Sequence, residues 1–466
     1  MLKIQRATKA NMNTYSVKYD ELEGRLDPSA YHPTRLNAIK KIKALNCDVL
    51  PLNQVATFKR DIVTETNRDT PYFGLENIES NTGIASDVEN GKDFGSAFSF
   101  KAGNILFPKL RPYLNKVHLA STEGVCSTEF HVLEANKCSN YYLFAFLSSR
   151  LVVNQTSYLM TGNTLPRLQT KDVEDLLIPI LPETKQKQIT DLLKKAYETR
   201  EEKLKQADEL LNSIDDFVRQ QLGIDYQEPE EEKIYTVNSQ DLENNRQDPY
   251  YHNPKFVEAL ASLSRLKYKV FSLGQLMVDM SGGATPRVGS NAYSDKENGI
   301  PFLRVQNITE KGILLDDVKY IKKSVHEKEL KRSQLKANDL VFTITGRIGS
   351  VAVVPSNFIG NINQHSVRIQ LKNEVDKREI DPTYIATFLN SSFGKLLTNR
   401  GITGGTRPAL DYEYIKSIPI PIPSTEIQNT ITNEFNKRTS SFEKMRAEAS
   451  KVLEEAKKQV EEMILN

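Results

Sequence analysis

The chain has 466 residues, 62 of them basic and 60 acidic, a length that allows two to four domains with ample core. So even a balance does not announce nucleic acid by net charge, although it can hide a basic face opposed by acidic surface elsewhere. Three cysteines (Cys47, Cys126, Cys138) without metal-ligand spacing argue for a reducing cytoplasm over a disulfide framework, and neither a signal peptide nor a membrane-span-length apolar run is visible.

In chain order, ELEGRLDPSAYHPTR (21–35) opens a first unit assigned to residues 1–183. Its patches PYFGLENIE (71–79), GNILFPKLRPYLNKVHLA (103–120) and EFHVLEA (129–135) are alternating, β-branched and aromatic-rich, which predicts short strands bounded by Gly and Asn turns. YYLFAFLSS reads as a buried helix. Pro182 then stops an extended segment, Thr184 offers an N-cap, and residues 184–222 carry neither Pro nor Gly while Leu204, Ala207, Leu210, Leu211, Ile214 and Val218 recur at 3–4 spacing. That pattern predicts a helix of roughly 40 residues, ~60 Å long. Gly223 ends it as a C′ glycine, and residues 223–240, with Gln227-Glu228-Pro229-Glu230-Glu231-Glu232, form a solvated acidic linker.

The second unit, residues 241–424, repeats the order. DLENNRQDPYYHNPKF (241–256) opens it, PFLRVQNIT (301–309), NDLVFTITGRIGSVAVV (338–354) and HSVRIQL (365–371) are its strands, and TYIATFLNSS is its buried helix. Phe107 and Phe342 occupy equivalent strand positions. Residues 425–466 form a second long helix, with Arg438, Phe442, Met445, Ala449, Val452 and Ala456 on one stripe. A solitary amphipathic helix of that length would leave its stripe wet, so the two long helices are expected to pack on each other, antiparallel.

The repeat holds one register over a long stretch. Tyr142 falls on Tyr384, Phe146 on Phe388, Gly162 on Gly404, Thr164 on Thr406, Pro166 on Pro408 and Leu168 on Leu410. The same offset carries Ile178-Pro179-Ile180 onto Ile420-Pro421-Ile422, Gln186 onto Gln428 and Ile189 onto Ile431. A repeat this long is a domain plus a helix, beyond the units of a solenoid. The expected fold is α+β: two tandem β-rich domains joined by two long helices in an antiparallel coiled coil, with pseudo-two-fold symmetry. Such symmetry suits a ligand that presents two sites, as duplex DNA does.

Catalytic signatures are missing. No Gly-rich phosphate loop, HExxH or paired CxxC occurs. Asp248-Pro249-Tyr250-Tyr251 approaches the Asp-Pro-Pro-Tyr signature of amino-methyltransferases, but the second proline is absent and no cofactor-binding glycine loop accompanies it, so it reads as turn chemistry. Glu183-Thr184-Lys185 sits at a helix start that favours an acid, and His326-Glu327 lacks a second His one turn on. The chain is expected to bind no cofactor or metal and to catalyse nothing itself.

Cations interleaved with Gly, Thr, Asn and aromatic residues in loops are the vocabulary of phosphate and base contact. In the first unit they are Lys59, Arg60, Tyr72, Lys109, Arg111, Tyr113, Lys116, Asn163, Thr164 and Arg167. In the second they are Thr285, Arg287, Arg304, Arg347, Asn363, Gln364, Thr406 and Arg407. Two sets recur at matched positions: the Gly-x-Thr-x-Pro loops at 162–166 and 404–408, and the Arg111/Arg347 region. Where the halves differ in these loops, a different half-site should be read.

Two variable β-rich domains, each ending in a Gly-x-Thr-x-Pro loop, an Ile-Pro-Ile segment, a Pro, a Gln-x-x-Ile and a long helix, resemble the specificity subunit of type I restriction–modification systems. Gly282-Gly283-Ala284-Thr285-Pro286-Arg287 followed by Gly299-Ile300-Pro301 resembles the opening of a target recognition domain, and Arg111-Pro112-Tyr113-Leu114-Asn115-Lys116 another recurrent segment. The resemblance implies two target recognition domains, each reading half of a split double-stranded DNA site, with the helices fixing the gap near one helical turn, ~34 Å. It implies as partners two methyltransferase subunits using S-adenosylmethionine and two restriction/translocase subunits using ATP and Mg, with no membrane. The first domain departs from the pattern, with Lys59-Arg60-Asp61-Ile62-Val63-Thr64 in place of a Gly-Gly-x-Thr-Pro opening. The stretch before Glu21 has no counterpart in the second unit, and one hypothesis has it clasp the end of the second long helix. Rival readings are the recognition subunit of a related methylase or phage-defence system without a translocase, and a coiled-coil scaffold that binds only proteins.

Overall fold

Strand alternation decides the layering. The computed structural model describes residues 2–6, 13–17, 22, 27–65, 67–162, 166–230, 234–238, 240, 242, 246–287 and 289–466. Two compact units divide the chain, Met1–Leu204 with Arg446–Asn466, and Lys205–Met445. The first unit's central sheet is antiparallel, in the order His118–Leu119, Ile105–Pro108, Phe130–Ala135, Ala56–Lys59. Successive side chains on a strand face opposite ways. Ile105, Phe107 and Leu133 therefore enter one core, shared with Tyr142, Phe146 and the helix Pro33–Lys43, while Leu106, Phe130 and Val132 enter another with Phe73, Phe100 and Cys126 of a second sheet. That second sheet contains a parallel pair, Gly124–Ser127 beside Pro71–Phe73.

The second unit repeats this arrangement inside itself. Leu340 and Phe342 face the core of Tyr384, Phe388 and Ile420, and Val341 faces that of Leu303 and Ile362. Its central sheet runs Met277–Gly282, Ser366–Leu371, Leu340–Thr343, Val351–Val353, and its parallel pair joins Ile300–Leu303 to Asn361–Ile362.

The residues that match between the halves hold each unit together. The buried Tyr142 hydroxyl donates to the Pro179 carbonyl at 2.6 Å, and the buried Tyr384 hydroxyl donates to that of Pro421 at 2.6 Å. Each Ile-Pro-Ile strand is one edge of a two-stranded sheet (Leu177–Ile180 with Asp48–Pro51, Pro419–Ile422 with Lys269–Ser272), where a proline without an N–H is tolerated. Gln186 and Gln428 lie in the first turns of the long helices, and their amides donate to the carbonyls of Leu181 at 2.8 Å and Pro423 at 3.2 Å. Asn77 and Asn307 accept from the backbone N–H of Gly74 at 2.8 Å and Arg304 at 2.9 Å, pinning equivalent turns.

The first long helix runs Glu183–Asn212, is interrupted at Ser213, and continues as Ile214–Leu222 to a left-handed Gly223. The sequence pattern predicts no interruption. At the interruption the Ser213 hydroxyl donates to the Leu210 carbonyl at 2.6 Å, while its N–H still donates to the Glu209 carbonyl at 3.0 Å. The second long helix is continuous over Thr425–Leu465. Within the first unit, Ile189, Leu193 and Ala196 share a core with Leu453, Ala456, Val460 and Ile464, and Lys203 meets Glu448 at 2.8 Å. Within the second, Val218 and Leu222 share a core with Ile431, and Arg438 meets Ser213 at 2.7 Å. Ahead of Glu21, the strands Leu2–Arg6 and Asn13–Val17 pair antiparallel.

The C-terminal helix is tied to the first unit by a half-buried lysine. Lys457 Nζ donates to the Asn81 carbonyl at 2.5 Å, and the Glu461 carboxylate accepts from the Arg150 backbone N–H. Burial pushes the Lys457 ammonium down to about 8, with Glu461 opposing. An unfolded lysine titrates near ~10.4. Between those values the unfolded chain binds the extra proton, so stability rises with pH across that window. Urea midpoints of the first unit should climb from pH 8 to pH 10, and Lys457→Met should flatten that climb; an unaltered slope would refute the assignment.

Candidate nucleic-acid interface

Both Gly-x-Thr-x-Pro loops are pinched shut by backbone pairs. Thr161 and Arg167 exchange two hydrogen bonds of 2.9 Å, as do Thr403 and Ala409, and Gly162 and Gly404 lie in the left-handed region with φ of 107° and 91°. Asn163 and Thr164 fall outside the described residues, so Gly162 and Arg167 represent that loop in the first unit.

Each loop then docks on the end of a central strand. The Leu168 N–H donates to the Lys109 carbonyl at 3.0 Å, and the Leu410 N–H to that of Ile344 at 3.0 Å. The other edge of the same strand ends is held by the Lys109 N–H on the Glu129 carbonyl at 2.8 Å, and the Ile344 N–H on that of His365 at 2.9 Å. The two recurrent sets singled out in the sequence thus lie side by side in each unit. This register also corrects their matching: Lys109 corresponds to Ile344, so Arg111 corresponds to Gly346, both left-handed (φ 48° and 74°), and Arg347 follows one residue later.

In the first unit the cluster is dense with ion pairs. The Arg167 guanidinium clasps the Glu129 carboxylate through two hydrogen bonds of 3.0 and 2.7 Å, which holds that carboxyl below its ordinary range. Lys109 Nζ donates to the Thr128 carbonyl at 2.6 Å and lies over the Phe98 ring, and its burial lowers its pKa. His131 is buried nearby, and desolvation, with the charges of Lys109 and Arg60 adding, pushes it to about 3, so it stays neutral. Arg111 and Tyr113 are exposed on the turn Pro112–Leu114. Lys116 donates to the Leu75 carbonyl at 2.8 Å, Lys59 pairs with Glu134 at 2.7 Å, Arg60 lies 3.9 Å from Glu174, and Tyr72 stacks on Phe94.

In the second unit the cluster is built from neutral polar groups. The Thr285 hydroxyl donates to the Gln364 side-chain carbonyl, the Gln364 amide meets His365 Nε2 at 3.1 Å, and His365 Nδ1 meets the Thr345 hydroxyl. Asn363 is buried and shapes the turn: its N–H donates to the Leu303 carbonyl at 3.0 Å, and its side chain accepts from the His365 N–H at 3.3 Å. Arg287, Arg347, Thr406 and Arg407 are exposed, and Arg304 is bound to Asp317 at 2.7 Å. The acids that occupy these cations, Glu129, Glu134 and Asp317, are not legible in the sequence. The first two lie in EFHVLEA and carry no local sign of their partners.

Asp248 closes a turn as expected, accepting from the Tyr251 N–H at 3.0 Å and pairing with Arg246 at 2.8 Å. Among the described residues, no group of three His, Cys, Asp or Glu could hold a metal ion, and no helix is long and apolar enough to cross a membrane.

Comparison with known proteins adds the family. Residues 44–210 and 266–450 match the type I restriction modification DNA specificity domain. The specificity subunit of the Escherichia coli type I restriction enzyme EcoDI is 26% identical over 171 residues, 34% of this chain and 38% of that protein. That of EcoBI, also from Escherichia coli, is 23% identical over 314 residues, 66% of this chain and 60% of that protein. The chain thus spans 38% and 60% of the length of these two relatives. Among solved structures, the HsdS subunit from Thermoanaerobacter tengcongensis is 17% identical with a TM-score of 0.34, and the S subunit from M. genitalium is 14% identical with a TM-score of 0.39; each alignment covers 90% of this chain and 96% of the other.

Proposed function

Because the chain belongs to the type I restriction modification DNA specificity family, we propose that it is the non-catalytic subunit that tells such a complex which DNA sequence to act on. Each unit reads one half of a split site in double-stranded DNA. The observation that carries this is the loop cluster built twice on one backbone plan, with the same pinched loop and strand end but different side chains at the tips. A shared frame with divergent tips is what two different half-sites require. Exposed Arg111, Arg287, Arg347 and Arg407 supply phosphate or guanine contacts, and the polar tips supply base contacts.

The two long helices serve as an antiparallel coiled coil that sets the gap between half-sites. Lys203 with Glu448 in one unit, and Ser213 with Arg438 in the other, support opposed chain directions. Two methyltransferase subunits carrying S-adenosylmethionine and two restriction/translocase subunits using ATP and Mg would dock on this scaffold and supply the chemistry. The compartment is the cytoplasm.

Long-read methylation sequencing of a host carrying this gene and its methyltransferase, against a deletion of this gene alone, tests the proposal. Loss of N6-methyladenine at one two-part motif is the expected result. An unchanged methylome with the methyltransferase expressed would leave the protein-binding scaffold as the better reading.

A further inference from the structure

We propose that Gln364 is the residue through which the second unit reads an A·T base pair, its amide pre-set for adenine by Thr285 and His365. The inference rests on the DNA-recognition reading above and names a residue and a base class within it.

Gln364 is exposed at the tip of the turn between the strands Asn361–Ile362 and Ser366–Leu371, and that turn is anchored from below by Asn363. Its side chain is tied at both ends. The carbonyl oxygen accepts from the Thr285 hydroxyl, and the amide nitrogen lies 3.1 Å from His365 Nε2. With the amide nitrogen towards His365, Nε2 accepts, and the imidazole proton on Nδ1 then donates to the Thr345 hydroxyl. The relay from Thr345 through His365 and Gln364 to Thr285 ties both ends of the amide. One N–H and one oxygen lone pair remain unused. They form the donor–acceptor pair that matches adenine N7 and N6–H in the major groove. Fixing the side chain before DNA arrives removes the ordering cost that a free glutamine would carry into the complex.

Among the described residues, the first unit shows no such device at the matching positions. Its register places Thr128 where the second has Gln364, and Glu129, clasped by Arg167, where the second has His365. The Gln364 contact therefore belongs to the second unit's half-site.

Selection of duplexes from a randomised library by the full-length chain tests this. Wild type should return a two-part motif, and Gln364→Ala should become indifferent at one A·T pair in one half while keeping every other position. Replacing that adenine by 7-deazaadenine, which lacks the N7 acceptor, should weaken wild-type binding roughly tenfold and leave Gln364→Ala unaffected. Gln364→Glu should shift the preference there towards cytosine, and Thr285→Val should lower discrimination at the same pair alone. If melting shows that Gln364→Ala does not fold, the last two variants decide the question. A motif that survives Gln364→Ala intact, or a 7-deazaadenine penalty equal in both proteins, would overturn the assignment of Gln364 alone. Failure of the wild type to select any motif would instead overturn the DNA-recognition reading.

Discussion

Ending the chain after Met445 should unfold the first unit and leave the second standing. Residues Arg446–Asn466 belong to the first unit although they are last in sequence. They bring Leu453, Ala456, Val460 and Ile464 into its core, each no more than 5% exposed. Three large apolar side chains at ~1.5–3 kcal/mol each come to roughly 5–9 kcal/mol, the order of a whole domain's stability. The cut also removes Lys457 from the Asn81 carbonyl and the Glu461 carboxylate from Arg150. Limited proteolysis should then clear residues 27–204 and spare a fragment near 205–445. Equal protease resistance of both units in the truncated chain would show that the helix is dispensable to the first.

Gly283→Ala should abolish recognition of the second unit's half-site while leaving the first's intact. A Cβ at this position would stand 2.0 Å from the Asn363 carbonyl oxygen and 2.6 Å from that of Ile362, both backbone atoms that cannot swing aside. The chain must shift instead, at a cost of about 1–3 kcal/mol. The turn it would push is the one that presents Gln364 and His365. Binding to duplexes altered in one half at a time is the measurement, with at least a tenfold loss of discrimination expected in that half only. Gly95→Ala is the control, since a Cβ there meets open space. Retention of full discrimination in Gly283→Ala would mean that the turn does not read DNA.

The matched residues that made the repeat legible are the scaffold of each unit. Tyr142 and Tyr384, the two Ile-Pro-Ile strands, and Gln186 and Gln428 hold the buried helix, the strand and the long helix of a unit in one arrangement. Their identity is constrained because each satisfies a backbone group that burial would otherwise leave unpaired. The candidate readers could not be sorted from sequence in the same way. Asn363 and Gln364 are neighbours with similar chemistry, yet one shapes the turn and the other is displayed by it. Arg111 and Arg347 looked equivalent until the strand-end register set Gly346 against Arg111.

By itself the sequence determined the duplication, the α+β make-up and the long amphipathic helices, because periodicity and capping are properties of near neighbours along the chain. Tertiary structure alone decided which cations are occupied. Arg167 meets Glu129 across 38 residues and Lys59 meets Glu134 across an antiparallel pair, and such pairings depend on distance in space. It also decided that the last helical stretch completes the first unit, since burial of a stripe specifies that it must be covered but not by what.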